Sequence, residues 1–246
     1  MTTVEVFVPS TMRWNRVKPK FGTLVVHRME AERYRALHME RKILVHEWGT
    51  IGQIRDWLLR VSHADIVFFV DDDVTNENLK EAVEACCEKI ADGAAAAGLG
   101  AQFMVHVRRE KDGDWSKFGY LTKAWGVRRG VYFEMGANMA VYPCHEDTYL
   151  ACMLGTGGHT YYRSNKYVAQ EAANKGGGCD RYRDDRMIVG YMELLAKDFP
   201  NHVKIQRTSV SNQGRKLGVS TRVAWSKFDG HRGALESLEK PLRVLW

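Results

Sequence analysis

The sequence lacks an apolar run long enough to cross a membrane. None of its hydrophobic stretches reaches the ~18 residues that a spanning helix requires. The first apolar run contains Glu5 and Pro9 and has no basic cluster before it, which is unlike a secretory signal peptide. We therefore expect a cytoplasmic protein without a membrane partner.

Cysteine is scarce and irregularly spaced. The chain has five cysteines, an odd number, and no CxxC pair. Zinc sites and disulfide frameworks need regularly paired cysteines, so we expect neither here, and a reducing compartment is the simplest setting.

Acidic residues are few near the carboxyl end. Residues 201–246 hold nine Lys or Arg against three Asp or Glu, and 9 − 3 = +6 equals the net charge of the whole chain. Such a segment can bind the phosphates of a nucleotide or a nucleic acid. A solvated surface without a specific partner is the alternative.

The first half of the chain alternates strand and helix patterns. The 246 residues suffice for one large α/β domain. A helical pattern covers residues 29–39, and a second one carries a predicted buried stripe of Ile51, Ile54, Leu58 and Val61. Strands alternating with helices predict a parallel sheet with right-handed crossovers. The β-branched and apolar runs that predict its strands are residues 4–8, 23–27, 42–46 and 66–70.

The second half is less regular, and we find no internal repeat. Helices are predicted at residues 77–91 and 184–197. Strands are predicted at residues 103–108 and, interrupted at Gly136, 132–142. The glycine-rich residues 154–178 predict a long loop over a site. The expected fold class is therefore a single α/β domain with a mixed sheet flanked by helices.

Three aspartates, Asp71, Asp72 and Asp73, directly follow the wholly apolar strand at residues 66–70. Ligands of parallel sheets gather at the carboxyl ends of the strands. Adjacent carboxylates repel each other, and a divalent cation with a preference for oxygen ligands, Mg²⁺ or Mn²⁺, relieves that repulsion. Alternate residues of an extended segment face the same way, which predicts Asp71 and Asp73 as metal ligands. The alternative is an aspartate loop whose Thr75 or Asn76 caps the next helix.

The pattern between residues 6 and 74 resembles the GT-A glycosyltransferases, and Asp71-Asp72-Asp73 resembles their DxD motif. More narrowly, it is similar to the viral and phage glycosyltransferases associated with TET/JBP oxygenases. Asp56 stands where those sequences usually have Asn. The matching segments are Val8-Pro9-Ser10 with Arg13 or Arg16, the acidic stretch Glu30, Glu32 and Tyr34, the helix start at residues 49–57, and the strand with DDDV at residues 67–74.

This resemblance implies a GT-A-like fold over residues 1–246 and metal-dependent transfer of a sugar from a nucleotide-sugar to an acceptor hydroxyl. Residues 1–100 would bind the nucleotide-sugar with Mn²⁺ or Mg²⁺, and residues 101–246, with the basic segment, would bind the acceptor. The implied acceptor is a hydroxymethylated pyrimidine in duplex phage DNA, which would place a phage-encoded enzyme in the host cytoplasm.

The resemblance also implies roles for individual residues. Arg55 would contact the donor, whereas the alternative is a surface ion pair with Asp56 or Asp65. His231 would be a late metal ligand, in preference to His202, although most histidines are ordinary surface or core residues. The donor-binding residues implied are Pro9, Ser10, Arg13, Arg55, Asp71, Asp72 and Asn138.

Asp184 and Asp185 open a predicted helix, and the resemblance implies that Asp185, or else Asp184, deprotonates the acceptor hydroxyl. A helix N-terminus stabilises such a carboxylate, but simple capping by Asp184 is the alternative. The segment with Glu134 and Asn138 resembles the GT-A strand that lines the donor sugar and the acceptor. The alternative is a β-bulge in a core strand. Trp115, Trp125 and Trp225 lie near basic residues and either stack on bases or, as we favour, pack in the core.

Two other functions remain open. A nucleotidyltransferase could share the fold, but such enzymes carry a Gly-rich loop after the first strand, and here no glycine precedes Gly22. A non-enzymatic nucleic-acid-binding module would explain the basic segment and leave both acidic clusters unexplained.

Overall fold

A computed structural model describes residues 1–101, 113–171, 182–207, 218–228, 230, 232 and 234–246. The predicted strand at residues 103–108 and the predicted metal ligand His231 lie outside these described residues, as do Arg215 and Lys216 of the basic segment.

A mixed sheet of ten strands forms the centre of the molecule, in the order β3-β2-β1-β4-β8-β6-β9-β5, with β12 paired to β1 and β7 to β9. Neighbours among β3, β2, β1 and β4 are parallel, so their carboxyl ends meet at one edge. The strands are β1 Thr2–Ser10, β2 Thr23–His27, β3 Ile43–His46, β4 Ile66–Val70, β5 Val74–Thr75, β6 Ala96–Ala101, β7 Trp115–Lys117, β8 Ala124–Arg128, β9 Tyr162–Glu171 and β12 Leu242–Leu245, and the separate antiparallel pair is β10 Val203–Arg207 and β11 Val219–Val223.

Helices cover both faces of this sheet. Tyr34 of α1 and Val83 of α3 belong to the core on one face, and Leu58 of α2, Leu150 of α5 and Leu195 of α6 belong to the core on the other. Among the described residues, no helix has the length and apolar character needed to cross a bilayer. The helices are α1 Ala31–Leu37, α2 Ile51–Val61, α3 Leu79–Ala91, α4 Arg129–Glu134, α5 Glu146–Thr156 and α6 Asp185–Asp198, and short 3₁₀ helices cover Arg28–Glu30, Met139–Val141 and Trp225–Lys227.

The two halves of β1 have different neighbours on one side. Its carboxyl-terminal half pairs with β2, from Phe7 opposite Thr23, and its amino-terminal half pairs with β12, from Thr2 opposite Leu242. Both pairings are parallel. The carboxyl end of the described chain thus joins the central sheet beside its first strand.

The structure corrects three sequence predictions, two of them in the second half of the chain. The strand predicted at residues 132–142 is wrong, because α4 and the 3₁₀ helix Met139–Val141 occupy that segment. The loop predicted at residues 154–178 is wrong where it is described, since it contains the end of α5 and strand β9. Val61 is 43% exposed and Ile51 is only partly buried, so the predicted buried stripe is reduced to Ile54 and Leu58.

The amino-terminal end of α2 is held in place by unusually close packing. Thr50 and Gln53 form a reciprocal capping box there. A Cβ on Gly52 would lie 2.2 Å from the carbonyl oxygen of Tyr142 and 2.4 Å from that of Met139. Only glycine allows this approach, which presses α2 against the 3₁₀ helix Met139–Val141.

Candidate active site

The three aspartates leave β4 in a tight turn. The backbone N–H of Asp71 donates to the carbonyl of Lys123 at 2.7 Å, and that of Val74 donates to the carbonyl of Asp71 at 3.2 Å. The extended backbone assumed for residues 71–73 is therefore wrong. Exposed side-chain fractions are 29% for Asp71, 6% for Asp72 and 11% for Asp73, so Asp71 has the most solvent contact.

A relay of hydroxyl groups holds Asp72. Its Oδ2 accepts a 2.5 Å bond from the hydroxyl of Ser10, whose Oγ lies 2.7 Å from the Tyr34 hydroxyl. Because the Ser10 proton is used on Asp72, the Tyr34 hydroxyl is the donor to Ser10. The Tyr34 oxygen in turn accepts from the backbone N–H of Arg13. The loop after β1 and the loop after β4 are thereby joined.

Arg13 reinforces this junction through its guanidinium. Its Nη1 donates to Asp72 at 2.6 Å and to Asp73 at 3.0 Å, so two adjacent carboxylates share one buried cation. Burial raises the pKa of Asp72 to about 6, while Arg13 and Ser10 act to lower it. Two predicted donor-binding residues, Ser10 and Arg13, are thus in direct contact with the aspartates, and Pro9 lies buried one residue earlier in β1.

Arg55 is buried in α2 and links the first aspartate to a second acidic residue. Its Nη2 donates to Asp71 at 2.6 Å and its Nη1 to Glu146 at 2.5 Å. The guanidinium also lies 5.7 Å from the ring centre of Phe69 and 5.2 Å from that of Trp125. The alternative surface ion pair with Asp56 or Asp65 is therefore wrong, because Arg55 faces the carboxyl end of β4.

Glu146, the first residue of α5, was missed by the sequence analysis. It is buried, and burial raises its pKa to about 7, while Arg55 and Arg183 act to lower it. Asp147 follows it in the first turn of the same helix. The available signal was a pair of carboxylates opening a helix, as for Asp184 and Asp185, but the helix itself was not predicted.

The start of α6 lies next to this network. Arg183 Nη2 is 3.8 Å from Glu146 Oε2, and the Tyr182 hydroxyl accepts from the backbone N–H of Ile51 at 2.9 Å. Asp184 caps α6 by accepting from the backbone N–H of Met187 at 2.7 Å. Asp185 is exposed in the first turn. The predicted base segment therefore adjoins the Arg55 network, with Asp184 in the capping role given as the alternative.

Other predicted residues serve the architecture. Asn138 caps the 3₁₀ helix Met139–Val141 by accepting from the backbone N–H of Ala140. Glu134 is exposed and pairs with Arg232 at 2.7 Å. Trp125 is fully buried, as the favoured core interpretation requires.

The carboxylate oxygens at this edge suit a hard divalent cation whose coordination is completed by oxygens of a bound substrate. No group of three His, Cys, Asp or Glu side chains that could hold a metal occurs in the described parts of the chain. Mg²⁺ sites of nucleotide-dependent enzymes commonly use one or two carboxylates plus substrate phosphate oxygens. Asp71 and Asp73, two residues apart in this turn, could supply two such carboxylates.

Comparison with known proteins supports the fold. No model of a protein family matches the sequence, and no curated protein does. The mannosyltransferase from Pyrobaculum calidifontis, in complex with GDP-Man and Mn²⁺, is similar, with a TM-score of 0.55 and 14% identity over 79% of this chain. This chain spans 64% of the length of that structure, just under two thirds.

A second similar structure is glucosyl-3-phosphoglycerate synthase from Mycobacterium tuberculosis in complex with Mg²⁺ and UDP. Its TM-score is 0.53, with 11% identity over 90% of this chain and 87% of that chain. At these identities the likeness concerns the fold. The predicted GT-A-like α/β fold, a mixed sheet flanked by helices, is confirmed.

Proposed function

We propose that this protein is a metal-dependent glycosyltransferase that moves a sugar from a nucleotide-sugar to an acceptor hydroxyl. The observation that carries the proposal is the pairing of Asp71, Asp72 and Asp73 with two buried arginines, Arg13 and Arg55, at the carboxyl edge of the sheet. The two similar structures support it, since one is in complex with GDP-Man and Mn²⁺ and the other with UDP and Mg²⁺.

In this proposal Asp71 and Asp73 would hold Mn²⁺ or Mg²⁺, and the cation would supply positive charge to offset the charge that develops on the leaving nucleotide. Arg55 orients Asp71 and offers its planar guanidinium to phosphate oxygens. Ser10 and Arg13 keep Asp72 in place, so the turn is formed before the donor arrives. A third ligand, proposed from the sequence, is His231.

Transfer also requires a base. A carboxylate takes the proton of the acceptor hydroxyl, the oxygen forms a bond to the anomeric carbon of the sugar, and the bond from that carbon to the diphosphate oxygen breaks. The sequence pattern proposes Asp185, with Asp184 second. Asp147 is a further candidate, because it is a second carboxylate in the first turn of α5.

The proposed acceptor is a hydroxymethylated pyrimidine in duplex DNA. Its support is the resemblance to phage enzymes and the charge of the β10–β11 pair, where Lys204 lies directly opposite Arg222. Like charges facing each other repel, and bound phosphate would offset that repulsion. No feature of the described residues favours the nucleotidyltransferase or the binding module over this function.

Replacing Asp73 with Ala tests the proposal. We expect Mn²⁺ with a panel of nucleotide-sugars to raise the melting temperature of the wild type and to be without effect on the variant. Ligand at a hundred times its Kd adds about 2.7 kcal/mol of stability. The variant should fold, because Arg13 keeps its bond to Asp72. Asp92→Ala, an exposed carboxylate after α3, is the matched control. Equal donor binding by Asp73→Ala and wild type would contradict the metal assignment.

A further inference from the structure

A cavity of about 640 Å³ opens at the carboxyl ends of β2 and β3, between α1 and α2. The indoles of Trp48 and Trp57 and the imidazole of His46 line it, and Arg28 and Glu47 stand at its rim. Trp48 is 46% exposed, an unusual state for so large an aromatic ring. None of these side chains has a role in the contacts around the aspartates.

The cavity lies on the same sheet edge as the aspartates. The order β3-β2-β1-β4 and a strand spacing of about 4.8 Å put β2 and β3 roughly 10 to 14 Å sideways from β4, and the register carries the end of β2 about three residues beyond the end of β4. The space beyond β1 and β2, which is nearer to the aspartates, is occupied by the loop after β1, because Glu30 accepts hydrogen bonds from the Thr11 hydroxyl and from the backbone N–H of Met12. A nucleotide whose diphosphate lies at Asp71 would therefore extend its base towards this cavity.

The rim distinguishes between bases. Arg28 and Glu47 form an exposed 2.7 Å ion pair, which costs little to rearrange around a ligand. Guanine alone among the common bases has two adjacent N–H groups, at N1 and N2, for both oxygens of one carboxylate. Its O6 and N7 atoms also accept a two-pronged bond from arginine. Uracil has one N–H between two carbonyls, and adenine and cytosine each have an amino group next to a ring nitrogen that accepts. None of these three bases therefore offers two adjacent N–H groups to one carboxylate.

The walls favour a large base. Aromatic side chains stack on every base, and a bicyclic purine covers more of an indole face than a pyrimidine does. We propose that the donor is a guanine nucleotide-sugar whose base stacks on Trp48 or Trp57 in this cavity and is read by Glu47 and Arg28. This inference rests on the proposed function and specifies its substrate class.

Binding of free nucleotides tests it. We would titrate the full chain with GDP, IDP, ADP and UDP in the presence of Mn²⁺ and measure Kd by calorimetry. We expect GDP to bind at least about tenfold more tightly than UDP or ADP. IDP lacks the 2-amino group and should therefore bind to the wild type more weakly than GDP does. To the variant Glu47→Gln, IDP and GDP should bind with equal affinity. Trp48→Ala should weaken GDP binding by about tenfold or more, and Trp48→Phe should restore most of it.

Control variants separate the possible failures. Met39→Ala, at another exposed apolar residue, should leave all affinities unchanged. If UDP binds as tightly as GDP and Trp48→Ala has no effect on either, the guanine proposal is wrong and the glycosyltransferase proposal stands. If none of the four nucleotides binds with Mn²⁺, the guanine proposal is wrong. If the panel of nucleotide-sugars also leaves the melting temperature of the wild type unchanged, the glycosyltransferase proposal is wrong as well. If GDP is preferred but Glu47→Gln keeps the difference between GDP and IDP, Glu47 does not read the base and the proposal is wrong.

Discussion

Glu146 contributes more to this site than an ordinary ion pair does, because it is buried and lies between two arginines. Its Oε1 accepts from Arg55 and its Oε2 faces Arg183. Removing one partner of a buried pair leaves an uncompensated charge, which typically costs about 3–5 kcal/mol. Arg55 in turn lies against both Phe69 and Trp125, two rings that contact each other.

Substitution of Glu146 by Gln should change how stability depends on pH. Burial raises the pKa of Glu146 in the folded protein to about 7, above its ordinary value of about 4.5. Between these values the folded state keeps a proton that the unfolded state has released. The free energy of unfolding of the wild type should therefore fall as the pH rises from about 4.5 to 7, by at most about 1.4 kcal/mol per pH unit from this group.

Gln does not titrate, so the variant should lack this component. Urea denaturation of both proteins at several pH values measures it, with the difference between the two curves as the readout. Curves that stay parallel from pH 4.5 to 7 would mean that Glu146 is ionised throughout.

The identity of the base can be decided with two isosteric variants. Asp147→Asn and Asp185→Asn keep the shape of each side chain and remove its ability to take a proton. We expect one of them to lose about 10²-fold or more in turnover with donor binding retained. The sequence pattern favours Asp185. Loss in Asp185→Asn alone would assign the role to α6, and full turnover in both would exclude both residues.

The elements of the first half could be predicted from sequence because their signals are local. Apolar runs and helical spacing identified β1 to β4 and α2, and the aspartates fall at the end of β4 as expected. In contrast, α5 is buried on most sides and lacks an apolar stripe with a polar opposite face, so its periodicity is weak. Strand β9 carries Arg, Asn, Lys and Gln and is a strand because β5, β6 and β7 pair with it. Glu146 was missed for the same reason, since nothing local links it to Arg55.

Helix α2 gives a test of how packing positions the site. Alanine at Gly52 would collide with the carbonyl oxygens of Tyr142 and Met139, and backbone atoms cannot rotate away. We expect Gly52→Ala to lower the free energy of unfolding by about 1–3 kcal/mol and to weaken donor binding, because Arg55 moves with its helix. Gly190→Ala in α6 is the matched control, since its Cβ meets no atom within 4 Å. It should be stabilised by up to about 1 kcal/mol. Denaturant titration compares them, and an equally stable Gly52→Ala would contradict the packing argument.

Positive charge is unevenly distributed over the molecule, with the excess in residues 201–246. If this segment binds duplex DNA, the logarithm of affinity should fall with the logarithm of salt concentration by about 0.9 for each phosphate contacted. The double variant Lys204→Glu with Arg222→Glu should reduce the steepness of this salt dependence. It should also reduce the rate of sugar transfer to hydroxymethylated DNA and leave the slow hydrolysis of the donor unchanged. Filter binding at several salt concentrations measures the slope. If the wild-type protein shows no salt-sensitive affinity for DNA, DNA is not the acceptor.

The pairing of β12 with the amino-terminal half of β1 has a consequence for synthesis of the chain. Thr2 through Glu5 lie opposite Leu242 through Leu245, so this edge of β1 must wait until residues 242–245 have been translated. A strand edge with open N–H and C=O groups is a template for pairing with other chains. Until residues 242–245 have been made, the nascent protein therefore carries an exposed edge on the amino-terminal half of β1, and those residues close it.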